Sequence, residues 1–309
     1  MSVATEIQRL QQAKVDIKLA IEQKGVTVGD GTIDTYAEKI NEISVGDSGV
    51  NYSMYAKQIQ LRPAAITQEN VTFNLENAIT LAMFLNSTLD ADDNITIKNI
   101  TVNCPNKIEA MNAAFFCHRS YNDNVLEKVT LNVDTSACST IRLAFRGCRA
   151  LKTIGGTPLD LSKCTASNST ENTFQYCYAL QDVGFAKETI KVNISFAYSN
   201  LLSTDTIQSI IDGLSDLTQY YKVGGQIGTS EFDYPETEVK FEDVVSVYSS
   251  DYTMSDGALV YIVYVPDGSI YYAYKKVSNP QTLTLHADVK AKLTDEQKTT
   301  ITNKGWLLA

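Results

Sequence analysis

Histidine and tryptophan are almost missing from this chain: His118, His286 and one Trp in 309 residues. So few imidazoles leave no basis for a His-based catalytic triad or a multi-histidine metal site. No stretch approaches the roughly 18 consecutive apolar residues of a membrane span. The opening MSVATEIQRL lacks the basic start and apolar run of a secretory signal. Basic clusters are also missing, and the formal net charge is −10, which argues against nucleic acid and anionic membrane surfaces as partners. Six cysteines lie between Cys104 and Cys177 without one C-x-x-C pair, so a zinc site is not expected. No EF-hand spacing occurs, and GVTVGDG at 25–31 lacks the Lys-Ser/Thr ending of a phosphate loop. No metal, cofactor or catalytic residue is therefore assigned. What is present is 44% hydrophobic and 20% charged residues, enough to bury a core, in a length that allows one to three domains.

The middle of the chain repeats itself. AFRGCRALKTI (144–154) returns 29 residues later as TFQYCYALQDV (173–183). A degenerate earlier copy starts at Ala114-Phe115, with Leu126 and Val129 in the Leu and Val slots. A later copy, SFAYSNLL, starts near Phe196 and has Ser199 where the others have cysteine; Met83-Phe84 opens a still earlier one. A second recurring feature ends NVDTSAC at Cys138 and PLDLSKC at Cys164, and Cys104 fits the same slot; Cys117 lies just off the Cys148/Cys177 set. Recurring apolar slots at a period of 20–31 residues predict a solenoid in which Phe stacks on Phe and Cys on Cys. The cysteines then read as small buried hydrophobes, with Ser199 showing that the slot is about packing. A disulfide framework is the other reading of an even cysteine count.

The flanks differ from the repeat. Residues 5–25 predict a helix stopped by Gly25, with Ile7, Leu10, Lys14, Ile17 and Ile21 recurring at spacings of 3 and 4, and YAEKI lies in a short second helix. That stripe needs a partner: the second helix, or the same helix of sister subunits in a coiled coil. VGDSG (45–49) reads as a linker. At the other end, STDTIQSIIDGL predicts an amphipathic helix ending near Gly213, TLTL a strand ended by His286, Thr294 with Gln297 a capping box, Gly305 a C-cap and WLLA a strand. Between these lies a compositional break at 219–280, holding ten of the seventeen tyrosines and four basic against nine acidic residues. It reads as strands EVKFEDVVSVYS, ALVYIVYV and IYYAYKKV, the last two joined as a hairpin by PDGS. Tyr248, Tyr252, Tyr261, Tyr264, Tyr271, Tyr272 and Tyr274 are the candidate binding surface, because tyrosine offers large contact area and a polar tip at low entropic cost. Their other role is to pack a small sheet. Glu236, Glu238, Glu242 and Asp243 supply carboxylates, but no spacing singles out a pair for glycoside hydrolysis.

The AF-x-x-C-x-x-L-x-x-I repeat resembles the BspA-type leucine-rich repeats of bacterial surface proteins. IQRLQQAKVDIKLAIEQKGV with YAEKI looks like the N-terminal module of tail and fibre proteins of bacteriophages, and KAKLTDEQKTTITNKGW looks like the terminus of similar phage proteins. The resemblance implies a virion protein made in the host cytoplasm, with an N-terminal module that attaches or oligomerises the subunit.

The fold class expected is α+β: N-terminal helices, a short leucine-rich-repeat-like solenoid, a β-rich insert and an α/β C-terminal cap. The divisions are a helical attachment or oligomerisation segment at 1–46, the repeat body at 51–218, the Tyr-rich insert at 219–280 and the cap at 281–309. The function expected is non-enzymatic: a tail-fibre, baseplate or other exposed virion protein that binds a host-surface glycan or protein. Partners are other virion proteins and sister copies, a trimer being favoured, with Ile7, Leu10, Ile17 and Ile21 as the oligomerising or attaching residues. The competing expectations are a purely structural capsid or neck decoration protein, whose insert contacts a neighbouring subunit, and a carbohydrate-active enzyme.

Overall fold

The computed structural model describes residues 3–22, 50–61, 66–85, 96–116, 125–224 and 231–309. The second predicted helix around YAEKI, Gly25, the linker at 45–49, Cys117 and His118 lie outside the described residues. The chain divides into two compact units, Met1–Val50 and Asn51–Ala309. The first unit contributes helix α1 (Val3–Glu22). Ile7, Leu10, Val15 and Ile17 are all exposed on it, Leu10 at 56%; the side chain of Ile21 is not among those described.

The second unit is built on parallel strands. The hexapeptides NVTFNL (70–75) and NITVNC (99–104) and their kin alternate polar and apolar residues, a period of 2 that makes half-buried strands. They form β2 (Asn70–Leu75), β3 (Asn99–Lys107) and β4 (Lys128–Asp134). With β1 (Val50–Met54), β5 (Thr153–Leu159) and β6 (Asp182–Phe185) they make one six-stranded sheet in sequential order. Register is exact in phase: Val71, Ile100, Val129, Ile154 and Val183 pair in one row and all point into the core. After each strand the chain returns beneath the sheet. There Phe115, Phe145, Phe174 and Phe196 form a column with ring centroids 5.4, 5.9 and 4.6 Å apart and interplanar angles of 15° or less.

Backbone hydrogen bonds correct the register of the first copy. Leu85 N–H donates to Ala114 O as Phe115 N–H donates to Ala144 O and Phe145 N–H to Thr173 O. Leu85 therefore holds the slot of the later phenylalanines. Phe84 sits one place earlier, in the slot of Ala114 and Ala144, and meets Phe115 edge-on at 72° instead of stacking.

The cysteine slot has a specific physical content. Cys148 Sγ donates to Phe115 O at 3.0 Å, Cys177 Sγ to Phe145 O at 3.1 Å, and Ser199 Oγ to Cys177 O at 3.1 Å. The Cys104/Cys138/Cys164 set is less uniform: Cys104 Sγ donates to Ala78 O and Cys164 Sγ to Cys138 O, each reaching one layer back, whereas Cys138 Sγ donates to Thr140 O. All five described cysteines are buried. Burial pushes the Cys104 thiol up, and hydrogen bonding to Cys138 together with burial pushes Cys164 far above the ordinary thiol range. Cys104 and Cys164 are thus neutral donors to buried carbonyls, and a serine hydroxyl can also donate in this way.

The α+β expectation, N-terminal helices ahead of a leucine-rich-repeat-like solenoid with an α/β cap, is corrected. The chain is mostly β-sheet: the six-stranded parallel sheet, a five-stranded largely antiparallel sheet and a three-stranded parallel sheet, with four helices among the described residues. The alternating hexapeptides between the Phe-Cys turns, not the terminal helices, form the dominant element.

One edge of the large sheet is closed by helix α2 (Thr204–Gly213), N-capped by Ser203. The N–H groups of Val183 and Phe185 on β6 donate to Thr206 Oγ1 and Ser209 Oγ, at 3.0 and 2.9 Å. An edge strand with buried, unpaired N–H groups is costly, and the helix removes that cost. The chain then returns by a second route. β7 (Ile194–Phe196) pairs with β13 (Gln281–Leu285), which pairs with β14 (Trp306–Leu308), all parallel. Helices α3 (Ala287–Lys292) and α4 (Asp295–Asn303) link them. His286 caps α3 through Nδ1, and Thr294 and Gln297 form the expected capping box on α4. Gly305 follows α4 at φ +83°, where a Cβ would lie 2.6 Å from Val277 Cγ2. No helix among the described residues is long and apolar enough to cross a membrane.

Candidate functional site: the tyrosine-rich sheet

The segment between α2 and β13 forms its own sheet, ordered β8-β12-β11-β10-β9. Its strands are β8 (Thr218–Lys222), β9 (Glu231–Phe232), β10 (Ser246–Met254), β11 (Leu259–Tyr264) and β12 (Ile270–Val277). The predicted hairpin is there, turned by Gly268 at φ +84° with Ser269 N–H on Asp267 Oδ1. The predicted strand EVKFEDVVSVYS is shorter than expected. Only its last four residues enter β10, while Lys240 makes a single bridge to Tyr221.

Strand alternation and register sort the seven candidate tyrosines. The rows Tyr248–Ile262–Tyr272, Tyr264–Ile270 and Val260–Tyr274–Tyr221 share one face. The rows Tyr261–Ala273 and Val263–Tyr271 share the other. Tyr274, 2% exposed, is not surface at all: it is the centre of a small core with Tyr221, Phe232, Met254 and Val260. Tyr252 and Tyr272 pack half-buried against that core, 5.4 Å from one another. Tyr234 covers Tyr274 edge-on at 4.8 Å and donates its hydroxyl to Asp256 Oδ2 at 2.9 Å. Burial, then Glu238 and the neighbouring tyrosines, push the Tyr274 phenol up to about 12.

Tyr248 and Tyr264 form a separate pair beyond this core, 5.5 Å apart and T-shaped. Tyr248 is 58% exposed, and Ile270, beside Tyr264 in the register, is exposed as well. On the opposite face Tyr261 meets Tyr220 at 5.5 Å, and Tyr271 lies between Phe241 at 5.3 Å and the Lys222 ammonium 4.7 Å from its centroid. The sheet thus brings together Tyr248 and Tyr264 with two isoleucines, Tyr261 with Tyr220, and Tyr271 with Phe241 and Lys222. It does not gather all seven.

Two of the four candidate carboxylates are in ion pairs. Glu238 pairs with Lys276, which holds its carboxyl below the usual range, and Glu242 lies 3.6 Å from Lys240. A general acid for glycoside hydrolysis needs the opposite shift. Asp216, at the base of the sheet, is pushed up by burial but brought down further by hydrogen bonds from Thr218 and Lys275, ending below its ordinary value. Among the described residues no group of three or more His, Cys, Asp or Glu converges as a metal site would require.

A second aromatic surface went unread in the sequence. Tyr176, Tyr178 and Tyr198 lie within 6.2 Å of one another, with the Arg149 guanidinium 5.3 Å from the Tyr178 ring. The signal was the repeat itself: Tyr176 and Tyr198 precede Cys177 and Ser199, in the slot of Gly147. Comparison with protein-family models, curated proteins and solved structures finds no match to this chain.

Proposed function

We propose that this is a non-enzymatic component of a bacteriophage particle, exposed on a tail fibre, baseplate or similar appendage, which binds a host-surface glycan or protein through the tyrosine-rich sheet. The observation that carries the binding part is the pair of exposed Tyr248 and half-buried Tyr264, flanked by Ile262 and Ile270 on a sheet with its own core. Exposed aromatic rings on a braced scaffold suit weak, specific surface recognition. The virion assignment comes from the resemblance of both chain ends to phage proteins. The 3-4-3-4 spacing of Ile7, Leu10, Lys14, Ile17 and Ile21 is a heptad seam, and the exposure of Ile7, Leu10 and Ile17 supports association with sister copies. Several copies convert weak single contacts into avidity.

The purified chain, labelled and incubated with candidate bacterial host cells, is expected to bind them. Tyr248→Ala/Tyr264→Ala is expected to lose that binding while keeping its unfolding midpoint. Undiminished binding by the double variant removes the sheet from the proposal. The exposed apolar residues Val245, Leu259 and Ile270 favour one second reading, contact with a neighbouring virion subunit. Finding the sheet buried against another virion protein in the assembled particle would favour that reading over host binding.

A further inference from the structure

The outward face of the large parallel sheet carries a regular array. Thr72, Thr101 and Thr130 pair in one row across three strands. Beside them Asn74, Asn103 and Asn132 form a side-chain ladder: Asn103 Nδ2 donates to Asn74 Oδ1 and Asn132 Nδ2 to Asn103 Oδ1, both at 2.8 Å. On the other side of the threonines Asn99 Nδ2 donates to Asn70 Oδ1 at 2.7 Å. An internal ladder amide uses one N–H and one lone pair on its neighbours, leaving one of each for a ligand. Among the described residues the three threonine hydroxyls have no protein partner, and all three side chains reach solvent.

The charges lie at the rim. Lys98–Glu69 and Lys152–Glu127 close ion pairs of 2.7 Å just before the strands, and Lys107 lies 3.9 Å from Asp134 at their ends. Lys128 shares the first row with Asn70 and Asn99. The array therefore offers donors and acceptors in equal measure, without aromatic or aliphatic side chains. It repeats about every 4.8 Å across strands and about 6.6 Å along them. Protein interfaces need an apolar centre, and nucleic acids need unpaired cations. Neither fits. A neutral, extended polyhydroxyl chain does, because its repeating hydroxyls find both donors and acceptors at fixed intervals.

We infer that this Asn/Thr face is a second binding surface, independent of the tyrosine-rich sheet, and that its ligand is a neutral polysaccharide strand. The test titrates side-chain 15N-asparagine-labelled full-length protein with cellohexaose, mannohexaose and chitohexaose, with hexagalacturonate as the acidic control. The ladder amide signals are expected to move with at least one neutral hexamer, at a dissociation constant of about 1 mM. Thr72→Val/Thr101→Val/Thr130→Val keeps the branched shape that strands favour. It is expected to weaken binding at least about tenfold without lowering the unfolding midpoint. Tyr248→Ala/Tyr264→Ala is expected to leave these shifts intact, so failure of the tyrosine reading is separable from failure here. Silence of the ladder signals with every neutral hexamer, equal shifts with hexagalacturonate, or unchanged binding by the triple valine variant would overturn the inference.

Discussion

Replacing Phe145 by alanine tests whether the aromatic column supports the fold. Its ring is fully buried, 5.4 Å from Phe115 and 5.9 Å from Phe174, nearly parallel to both. Removing a buried Phe side chain takes away roughly 150 Å² of apolar area, or about 4 kcal/mol at ~25 cal/mol per Å². Each lost stack adds about 0.5–1.5 kcal/mol, and partial collapse of the cavity returns some of it. A loss of about 3–5 kcal/mol is expected, against about 1 kcal/mol for Phe145→Leu, which keeps most of the volume. The single tryptophan is a natural reporter for urea unfolding: Trp306 is buried in the same core and its Nε1–H donates to Ser215 O at 2.8 Å. If fluorescence and far-ultraviolet circular dichroism shift together, the column and the C-terminal strands unfold as one unit. A loss below about 1 kcal/mol for the alanine variant would refute the column as a support.

Thr206→Val/Ser209→Ala leaves the N–H groups of Val183 and Phe185 without acceptors; a loss of about 1–3 kcal/mol and increased aggregation on warming are expected, read by denaturation and light scattering. Cys177→Ser is expected to cost about 1 kcal/mol or less and Cys177→Ala more, because serine already fills the equivalent slot at Ser199; iodoacetamide should modify Cys177 only after unfolding, as peptide mass mapping will show. The Tyr274 phenol is raised from 10 to about 12 in the folded chain, so its contribution to stability is complete below pH 10 and is lost as pH rises from there through about 12. An alkaline titration followed at 295 nm should therefore show one late tyrosine, and Tyr274→Phe should remove it. Joining Thr218 to Val277 through a two-residue Asn-Gly turn deletes the tyrosine-rich sheet; the remainder is expected to stay soluble, with Trp306 fluorescence unchanged.

The stacked rings and thiols were legible because Phe145 and Phe174, and Cys148 and Cys177, recur at one spacing in nearly identical words. The strands were equally legible in principle: Asn70, Asn99 and Lys128 open three hexapeptides of the same alternation at intervals of 29. Their signal is weaker in practice because a polar-apolar alternation of six residues is a shorter pattern than the eleven-residue Phe-x-x-Cys repeat. Phe84 misled for a different reason. The backbone register aligns Leu85 with Phe115 and Phe145, and hydrogen bonds alone reveal it. Alternation in ALVYIVYV and IYYAYKKV made the two faces legible, but the burial of Tyr274 was not. It depends on the irregularity between Ser249 and Thr253 and on Phe232 and Tyr234, which arrive from a separate segment to cover Tyr274.

The aromatic column and the hydrogen-bonded sheet part company at the last turn. Phe196 stacks on Phe174 more closely than any earlier pair, yet β7 belongs to a different sheet, paired with β13. The six-stranded sheet ends at β6 because α2 takes its edge, while the column runs one layer further and needs a new strand beside it. Residues from about 281 supply that strand: Asn193 N–H donates to Gln281 Oε1, and Thr282 N–H to Asn193 Oδ1. Whatever lies between α2 and β13 therefore has only to leave and return at one place. Thr218 and Val277 are paired in register there, so the intervening chain closes on itself before the core resumes. Loop-closure cost rises only with the logarithm of length. A long insertion at this point is thus thermodynamically mild, and its surface is free to vary without disturbing the column beneath it.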